Sequence, residues 1–376
     1  MIPCQRHLFN IPDDVAYFNC AFTAPLLRDA EQAGYSSVRE KVSPWTITSK
    51  NFFMTIETLR DLFSQLVGCT ADDVALIPAV SYGIALAAKN LPVSSGQTII
   101  VLADQFPSNI YAWRRLADEK NASIITVQRP EDKNWTRAVV QAVDDNTAVV
   151  AVPNCHWTDG TLLDLVQIGE KCRTHDAALV VDGIQSLGAM PFSVSDVRPD
   201  FLVTAAHKWL LGPYSMGYCY VSPRWQKGTP LEENWLNRNE SENFARLVDY
   251  RDEYQPGARR FDVGEASNFI LSPIAEAALR QILDWGIGNI ADTLRAKTDA
   301  ISEWAVRKGF DVSPASARVP HMLGLAMPGG FSHDLPARIA QDRVYVSVRG
   351  NSIRVAPHLY INETDMERLF NALEKI

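Results

Sequence analysis

Short apolar runs alternate with longer amphipathic stretches between about residues 50 and 225. Seven of the runs have the length and the branched side chains of buried strands: 74–77, 98–102, 123–127, 148–152, 178–181, 201–203 and 216–221. Between several of them the apolar positions recur at helical spacing, which predicts helices at 83–90, 110–119, 135–143 and 164–175. Strands that alternate with helices favour a mostly parallel sheet that is covered by helices on both faces.

The pattern changes after residue 225. Residues 225–270 are polar and rich in loop-forming residues, which predicts a crossing into a smaller domain. Further on, the apolar positions predict helices at 273–285, 290–308 and 363–374 and short strands at 322–326 and 352–355. We therefore expect residues 1–20 to pack on the small domain, residues 21–255 to form a large domain, and residues 256–376 to form a smaller α+β domain.

Composition narrows the class of protein. The 376 residues are 47% hydrophobic and 21% charged, as in a globular enzyme, and the net charge is −8. That charge argues against nucleic-acid and anionic-membrane partners. No apolar run is long enough to span a bilayer, and the N-terminus lacks the plan of a signal peptide. The six cysteines have no metal-type spacing, so we expect no metal site and a cytoplasmic location.

Two ionisable side chains stand just after predicted strands. Asp182 ends the run at 178–181, and His207 and Lys208 follow the run at 201–203. In open parallel sheets, ligands bind at this edge, and a charge buried there is costly unless it has a partner. Pyridoxal phosphate uses both groups, because its aldehyde bonds to a lysine amine and its ring nitrogen stays protonated opposite an anion. We therefore predict that Lys208 carries the cofactor and moves protons, and that Asp182 holds the ring nitrogen.

The joint pattern around these two residues resembles the class V aminotransferase family of fold-type I pyridoxal-phosphate enzymes, which includes cysteine desulfurases, kynureninases and isopenicillin N epimerase. The matching residues are Asp182, Gln185, Asp200, Phe201, His207, Lys208, Gly212 and Pro213. The resemblance covers nearly the whole chain and is weakest at 225–255 and 290–340. It implies a large domain with a mostly parallel seven-stranded sheet, a smaller α+β C-terminal domain, and a homodimer with shared active sites.

A strand, a short turn and a helix start follow one another over residues 74–86. Free backbone N–H groups and the helix dipole make such a junction a binding site for phosphate. Ser81 can add a hydroxyl donor, or it can serve only as a helix cap. The resemblance places the cofactor phosphate here, with Tyr82 and His207 as further contacts, and Gly83 lets the backbone come close.

Three more residues are expected to contact the cofactor ring. Phe106 follows the strand at 98–102, and its face could stack on the pyridine ring for about 1 kcal/mol, unless it is an ordinary core residue. Phe106 also resembles the stacking phenylalanine of kynureninases. By the same resemblance, Asn154 and Gln185 could bond the phenolic oxygen of the cofactor.

Substrate contacts are expected from both halves of the chain. Arg354 resembles the family arginine that binds the substrate α-carboxylate, a role that suits the bidentate guanidinium. Its apolar neighbours point to the opposite face of a strand, which fits a cleft and also fits solvent. His156 and Trp157 are candidates for facing the substrate. Gly264 lies in a segment that relatives insert into the partner subunit's phosphate site.

These residues predict an enzyme that acts on an α-amino acid, with transamination as the leading reaction. A β-elimination (C–S lyase) reaction, a kynureninase-type hydrolysis and an epimerisation stay open as alternatives, as does a cofactor-binding protein without turnover. Desulfurases need a thiol nucleophile shortly before the carboxylate-binding arginine. This chain has no cysteine between residues 220 and 376, which argues against desulfurase activity.

Overall fold

The structure is a computed structural model that describes residues 1–332 and 334–376. Its helices are α1 (Arg28–Val42), α2 (Ser49–Val67), α3 (Val80–Asn90), α4 (Tyr111–Lys120), α5 (Trp135–Ala142), α6 (Leu165–Thr174), α7 (Val194–Val197), α8 (Leu271–Trp285), α9 (Ile287–Arg307), α10 (Leu335–Gln341) and α11 (Glu363–Leu373). Its strands are β1 (Ala16–Tyr17), β2 (Val74–Ile77), β3 (Thr98–Leu102), β4 (Ser123–Val127), β5 (Thr147–Pro153), β6 (Ala178–Asp182), β7 (Phe201–Ala205), β8 (Gly217–Val221), β9 (Leu323–Ala326), β10 (Val344–Tyr345), β11 (Ser347–Arg349) and β12 (Ser352–Val355).

The seven predicted strands between residues 74 and 221 form one sheet in the order β2-β8-β7-β6-β5-β3-β4. Strands β3 to β7 pair in parallel, and β8 runs antiparallel to both β2 and β7. This arrangement confirms the predicted α/β fold with a mostly parallel sheet. The register places Asp182 beside Pro153 of β5 and Val203 of β7, so the carboxyl ends of three neighbouring strands meet at one edge.

The central strands are buried along their whole length, which explains why their sequences are continuously apolar instead of alternating. Helix α3 packs closely on this sheet through Gly83. A Cβ atom on Gly83 would lie 2.5 Å from Cγ1 of Val203, far inside contact distance. Gly83 was predicted to let the backbone come close to the phosphate. In the structure, its missing side chain instead lets the helix pack closely on the sheet.

A second, smaller sheet of order β11-β12-β9 is antiparallel, and β1 pairs in parallel with β10. The N-terminal segment lies against this region: the N–H of Gln5 donates to the carbonyl of Leu359, and the N–H of Ala356 donates to the carbonyl of Phe18. Helices α1 and α2 pack against α8. The domain limits at residues 20 and 255 remain a prediction.

The polar region that lies between the two sheets in sequence is fixed to helix α2 by a buried ion pair and to strand β2 by hydrogen bonds. Asp262 accepts a 2.9 Å hydrogen bond from Nη1 of Arg60 in α2 and a 2.8 Å bond from the N–H of Leu76 in β2. The next N–H, that of Val263, donates to the carbonyl of Leu76. These contacts hold residues 262–264 beside the strand that leads into α3. None of the helices in the described part of the chain combines the length and the hydrophobicity needed to cross a bilayer.

Candidate active site

A cleft opens at the carboxyl edge of the large sheet. It is lined by Gln105, Phe106, Pro153, Cys155, Trp157, Asp182, Ile184, Gln185 and Lys208. These side chains come from the ends of β5 and β6 and from the loops that follow β3, β5, β6 and β7. The fold therefore brings five of the predicted site residues to one cavity, although they are up to a hundred positions apart in sequence.

Asp182 is the last residue of β6 and is only 4% exposed. One of its carboxylate oxygens accepts a 3.1 Å hydrogen bond from the N–H of Ile184. Burial raises the pKa of Asp182 to about 6, while the Ile184 N–H and the charge of Lys208 oppose the rise. A cationic N–H donor placed against this carboxylate would stabilise its ionised form. A protonated pyridine nitrogen is a donor of that kind, so the residue fits its predicted role.

Lys208 is buried in the turn that follows β7. Its Nζ lies 5.6 Å from the centroid of the Phe106 ring and has no hydrogen bond or ion pair to any described residue. Burial lowers the pKa of Lys208 to about 8, the positive charges of Arg354 and Arg349 act in the same direction, and Asp182 opposes them. An appreciable fraction of the amine is therefore neutral near physiological pH, as a nucleophile that attacks an aldehyde must be.

Arg354 in β12 is 2% exposed, which rules out the alternative of a solvated arginine. Its Nη1 donates a 2.8 Å hydrogen bond to the carbonyl of Trp157, a residue that lines the cleft. Its Nε is buried and has no partner among the described residues. Burial lowers the pKa of Arg354 to about 9, and the charge of Arg349 adds to the effect. A carboxylate would satisfy both the free N–H and the charge.

Phe106 and Trp157 form an aromatic wall of the cleft, with ring centroids 5.4 Å apart in an edge-to-face arrangement. The indole N–H of Trp157 donates a 2.6 Å hydrogen bond to the carbonyl of Asp104, which fixes the ring. Phe106 is 42% exposed and presents its ring to Lys208, so it is not an ordinary core residue. Its position fits stacking on a flat ring that is bonded to Lys208.

The start of α3 offers free backbone N–H groups just after the end of β2. The helix begins at Val80, and its N-cap residue Ala79 has no side chain that could cap it. Ser81 lies exposed in the first turn, so its hydroxyl is available to a ligand. This is the geometry of an anion site at a helix N-terminus. Phosphate contacts by Ser81 and by its neighbour Tyr82 remain predictions.

Comparison with known proteins assigns this arrangement to a family. The model of the family "Aminotransferase class-V" matches residues 25–352. The chain belongs to the class V aminotransferase family. It is 26% identical over 357 residues to the uncharacterized aminotransferase YcbU of Bacillus subtilis, with 94% of this chain and 91% of the relative covered. It is also 23% identical to isopenicillin N epimerase of Streptomyces clavuligerus, with 84% and 83% covered.

A solved structure shows the same fold. A variant of C-DES that carries glycine covalently linked to its pyridoxal phosphate cofactor superposes with a TM-score of 0.88 at 17% identity, and 98% of each chain is covered. The class V family depends on pyridoxal phosphate, and this class V enzyme has the fold-type I architecture of such enzymes. The sequence-based predictions of family, fold class and cofactor are thereby confirmed.

Two amides of this class V enzyme were predicted to bond the phenolic oxygen of the cofactor. Asn154 has a buried amide oxygen without a partner among the described residues, while its nitrogen donates to the carbonyl of Leu163. Gln185 lines the cleft, but its amide nitrogen donates to the carbonyl of Ala21 and its amide oxygen accepts from the indole N–H of Trp209. The free atom of Asn154 is an acceptor that could bond a phenolic O–H but not an ionised oxygen, and Asn154 is not among the residues that line the cleft. Both roles remain predictions.

His207 and Gly264 were predicted at the phosphate. His207 is half-buried, its Nδ1 has no described partner, and burial together with the charge of Lys208 lowers its pKa to about 4. The N–H of Gly264 donates a 2.7 Å hydrogen bond to Glu232, so in this chain it is already used. The same carboxylate, together with burial, raises the pKa of Tyr82. Both phosphate roles remain predictions.

His156 is placed differently from its neighbour Trp157. It is fully buried and is not among the residues that line the cleft. Its Nε2 donates to the carbonyl of Ala103 at 3.1 Å, and its Nδ1 accepts at 2.7 Å from the hydroxyl of Thr158 and at 3.0 Å from Arg129. The structure therefore brings Trp157, but not His156, into position to face a substrate.

Several residues of the site were not singled out by sequence analysis, among them Cys155 and Arg349. Cys155 lines the cleft, donates a 3.6 Å hydrogen bond to the carbonyl of Gln185, and has a pKa that is raised by burial. Arg349 acts on the charges of both Arg354 and Lys208. No sequence signal marks either residue. Among the described residues, no group of three or more His, Cys, Asp or Glu side chains is placed to hold a metal ion.

Proposed function

We propose that this enzyme is an aminotransferase that accepts the amino group of an α-amino acid. The observation that carries the proposal is the single base of the cleft. Of the described residues that line it, Lys208 alone has an amine or imidazole group. One base on one face of a flat ring suits the proton transfers of transamination, in which the proton leaves and returns on the same side.

The roles of the residues follow from their positions. Pyridoxal phosphate, when bound, supplies an electron sink for the bonds at the substrate α-carbon. Arg354 holds the α-carboxylate, and Asp182 keeps a proton on the ring nitrogen through its charge. Lys208, whose amine is partly neutral, would accept the proton of the substrate α-carbon and hold it for return. Phe106 would stack on the cofactor ring.

Two of the alternatives need groups that the cleft does not offer. Epimerisation with two bases would require a second proton acceptor opposite Lys208, and no other described lining residue has an amine or imidazole. A persulfide-forming reaction needs a thiolate, yet burial raises the pKa of the Cys155 thiol. Elimination of a β-substituent needs only one base, so an assay must separate it from transamination.

The test follows product formation with and without an oxo acid as amino acceptor. A transaminase makes about one equivalent of oxo acid per site without an acceptor and turns over continuously with one. Continuous pyruvate release from cysteine or cystathionine without an acceptor would instead show elimination, and formation of the D-amino acid would show epimerisation. Lys208→Ala should abolish the reaction, whereas Arg338→Gln, on the exposed face of α10, serves as the matched control.

We further propose a homodimer with shared active sites. Large apolar side chains are exposed in two surface segments. The first holds Val42, the last residue of α1, and Trp45; the second, a loop near residue 250, holds Val248 and Tyr250, which is 92% exposed. Monomeric proteins rarely expose large apolar patches, so these segments are candidates for the interface. Sedimentation of the holoenzyme should give a dimer that Trp45→Lys with Tyr250→Lys dissociates. A fully active monomer would contradict the proposal.

We also propose that the protein is located in the cytoplasm. All six cysteines are free thiols in the structure, and four of them are buried. Free thiols persist in a reducing compartment. Titration of the denatured protein, isolated under conditions that block thiols, should return six thiols per chain. A smaller number would contradict the proposal.

A further inference from the structure

Two arginines share one face of the hairpin formed by β11 and β12. The strands pair antiparallel with Arg349 opposite Ser352 and Ser347 opposite Arg354. Directly opposed residues of an antiparallel pair lie on the same face, and so do residues two apart along a strand. Arg349 and Arg354 therefore project from the same side of the hairpin, on a diagonal across it.

Both side chains reach the aromatic wall of the cleft. Arg354 donates to the carbonyl of Trp157, and the guanidinium carbon of Arg349 lies 5.8 Å from the centroid of the Trp157 ring. That ring contacts the ring of Phe106, whose centroid lies 5.6 Å from Nζ of Lys208. Successive contacts thus connect Lys208 through the two rings of the aromatic wall to Arg349. Arg354 contacts the same wall at Trp157.

The positive charges of this site exceed the negative ones. Neither arginine forms an ion pair with a described residue; the one described hydrogen bond of Arg349 goes to the carbonyl of Val348. The charges of both arginines help to lower the pKa of Lys208, so both guanidinium groups lie close enough to influence its amine. Asp182 is the only carboxylate that lines the described cleft. The substrate α-carboxylate accounts for Arg354 and leaves the half-buried charge of Arg349 without a partner.

We propose that Arg349 binds a second carboxylate, on the side chain of the substrate, so that the enzyme prefers dicarboxylic α-amino acids. This inference rests on the proposed function, since it assigns Arg354 to the α-carboxylate of the same substrate. Contact with the Trp157 ring holds the planar guanidinium in place, and its Nε and Nη2, which donate to no described residue, are free for a bidentate bond. The distance between the two guanidinium groups then selects the length of the side chain.

The experiment compares each acid with its amide on the holoenzyme. Aspartate and glutamate are titrated against asparagine and glutamine, with aminoadipate as a longer acid, and the shift of the cofactor absorbance reports binding. We expect at least one acid to bind about 10- to 100-fold more tightly than its amide or a neutral amino acid. Arg349→Gln should weaken binding of the acid more than binding of its amide and so remove this difference, and Arg338→Gln should leave the difference unchanged.

A second readout does not require the reaction. Glutarate, which has both carboxylates and no amine, should bind the wild-type holoenzyme in a calorimetric titration and bind Arg349→Gln about 10-fold or more weakly. Equal affinity for acids and amides, or an unchanged preference in Arg349→Gln, overturns the inference while the proposed function stands. A cofactor spectrum that no amino acid shifts shows instead that the proposed function itself has failed.

Discussion

Replacing Asp182 by asparagine removes a buried charge and keeps the shape of the side chain. In the cofactor-free protein this carboxylate faces no cationic donor in contact, and burial raises its pKa from the ordinary 3.8 to about 6. A pKa difference of about two corresponds to roughly 3 kcal/mol. We therefore expect the wild-type apoprotein to lose stability, relative to Asp182→Asn, as the pH rises.

The sign follows from proton binding. Below pH 3.8 both the folded and the unfolded chain hold the proton, so Asp182 does not lower the free energy of unfolding. Between pH 3.8 and about 6, only the folded chain holds it. The folded protein therefore loses the stability that the protonated carboxyl group provides, relative to the ionised one, as the pH rises through that interval. None of it remains above the folded pKa. From about pH 4.5 to about pH 8, the free energy of unfolding of the wild type should fall by about 2 kcal/mol relative to the variant.

Urea unfolding of the two apoproteins over this pH range measures the difference. Titrations of groups that do not interact with Asp182 are common to both proteins and cancel; Lys208, which does interact with it, titrates only near the upper end of the range. The unpaired amide hydrogens of the asparagine shift the whole curve by about 1–3 kcal/mol but do not change with pH. A difference between the two proteins that stays constant across the range would refute the assignment of Asp182 as a strained, buried acid that awaits a cationic partner.

Four further predictions concern the same site and its support. Lys208→Ala should abolish the absorbance band of the bound cofactor and reduce turnover by several orders of magnitude, as measured by spectrophotometry and product assay. Cofactor incorporation into the apoprotein should accelerate as the pH rises through about 8, because only the neutral amine of Lys208 attacks; a stopped-flow rate that is independent of pH would contradict this. Arg354→Gln should raise KM for amino acids by about 10- to 100-fold with unchanged cofactor affinity, and steady-state kinetics with a cofactor titration checks both. Gly83→Ala should lower the free energy of unfolding by about 1–3 kcal/mol, because its Cβ would meet Val203; Gly288→Ala, which meets no atom within 4 Å, is the control for urea unfolding.

The amino-acid sequence determined the sheet and the two central residues of the site. The apolar runs predict all seven strands of the large sheet, because strands buried on both faces must be continuously apolar. Asp182 and Lys208 stand out because an ionisable side chain directly after such a run is costly without a partner. Their spacing from Gln185 and His207 was enough to identify the family.

Only the tertiary structure decided which neighbouring side chains reach the cleft. His156 and Trp157 are adjacent in sequence, yet one is bonded inside the protein and the other lines the cavity. Arg349 gives no sequence signal and becomes part of the site only because the hairpin pairing aligns it with Arg354. The physical reason is that strand periodicity is local, whereas the direction of a loop side chain depends on hydrogen bonds and ring contacts with residues far along the chain.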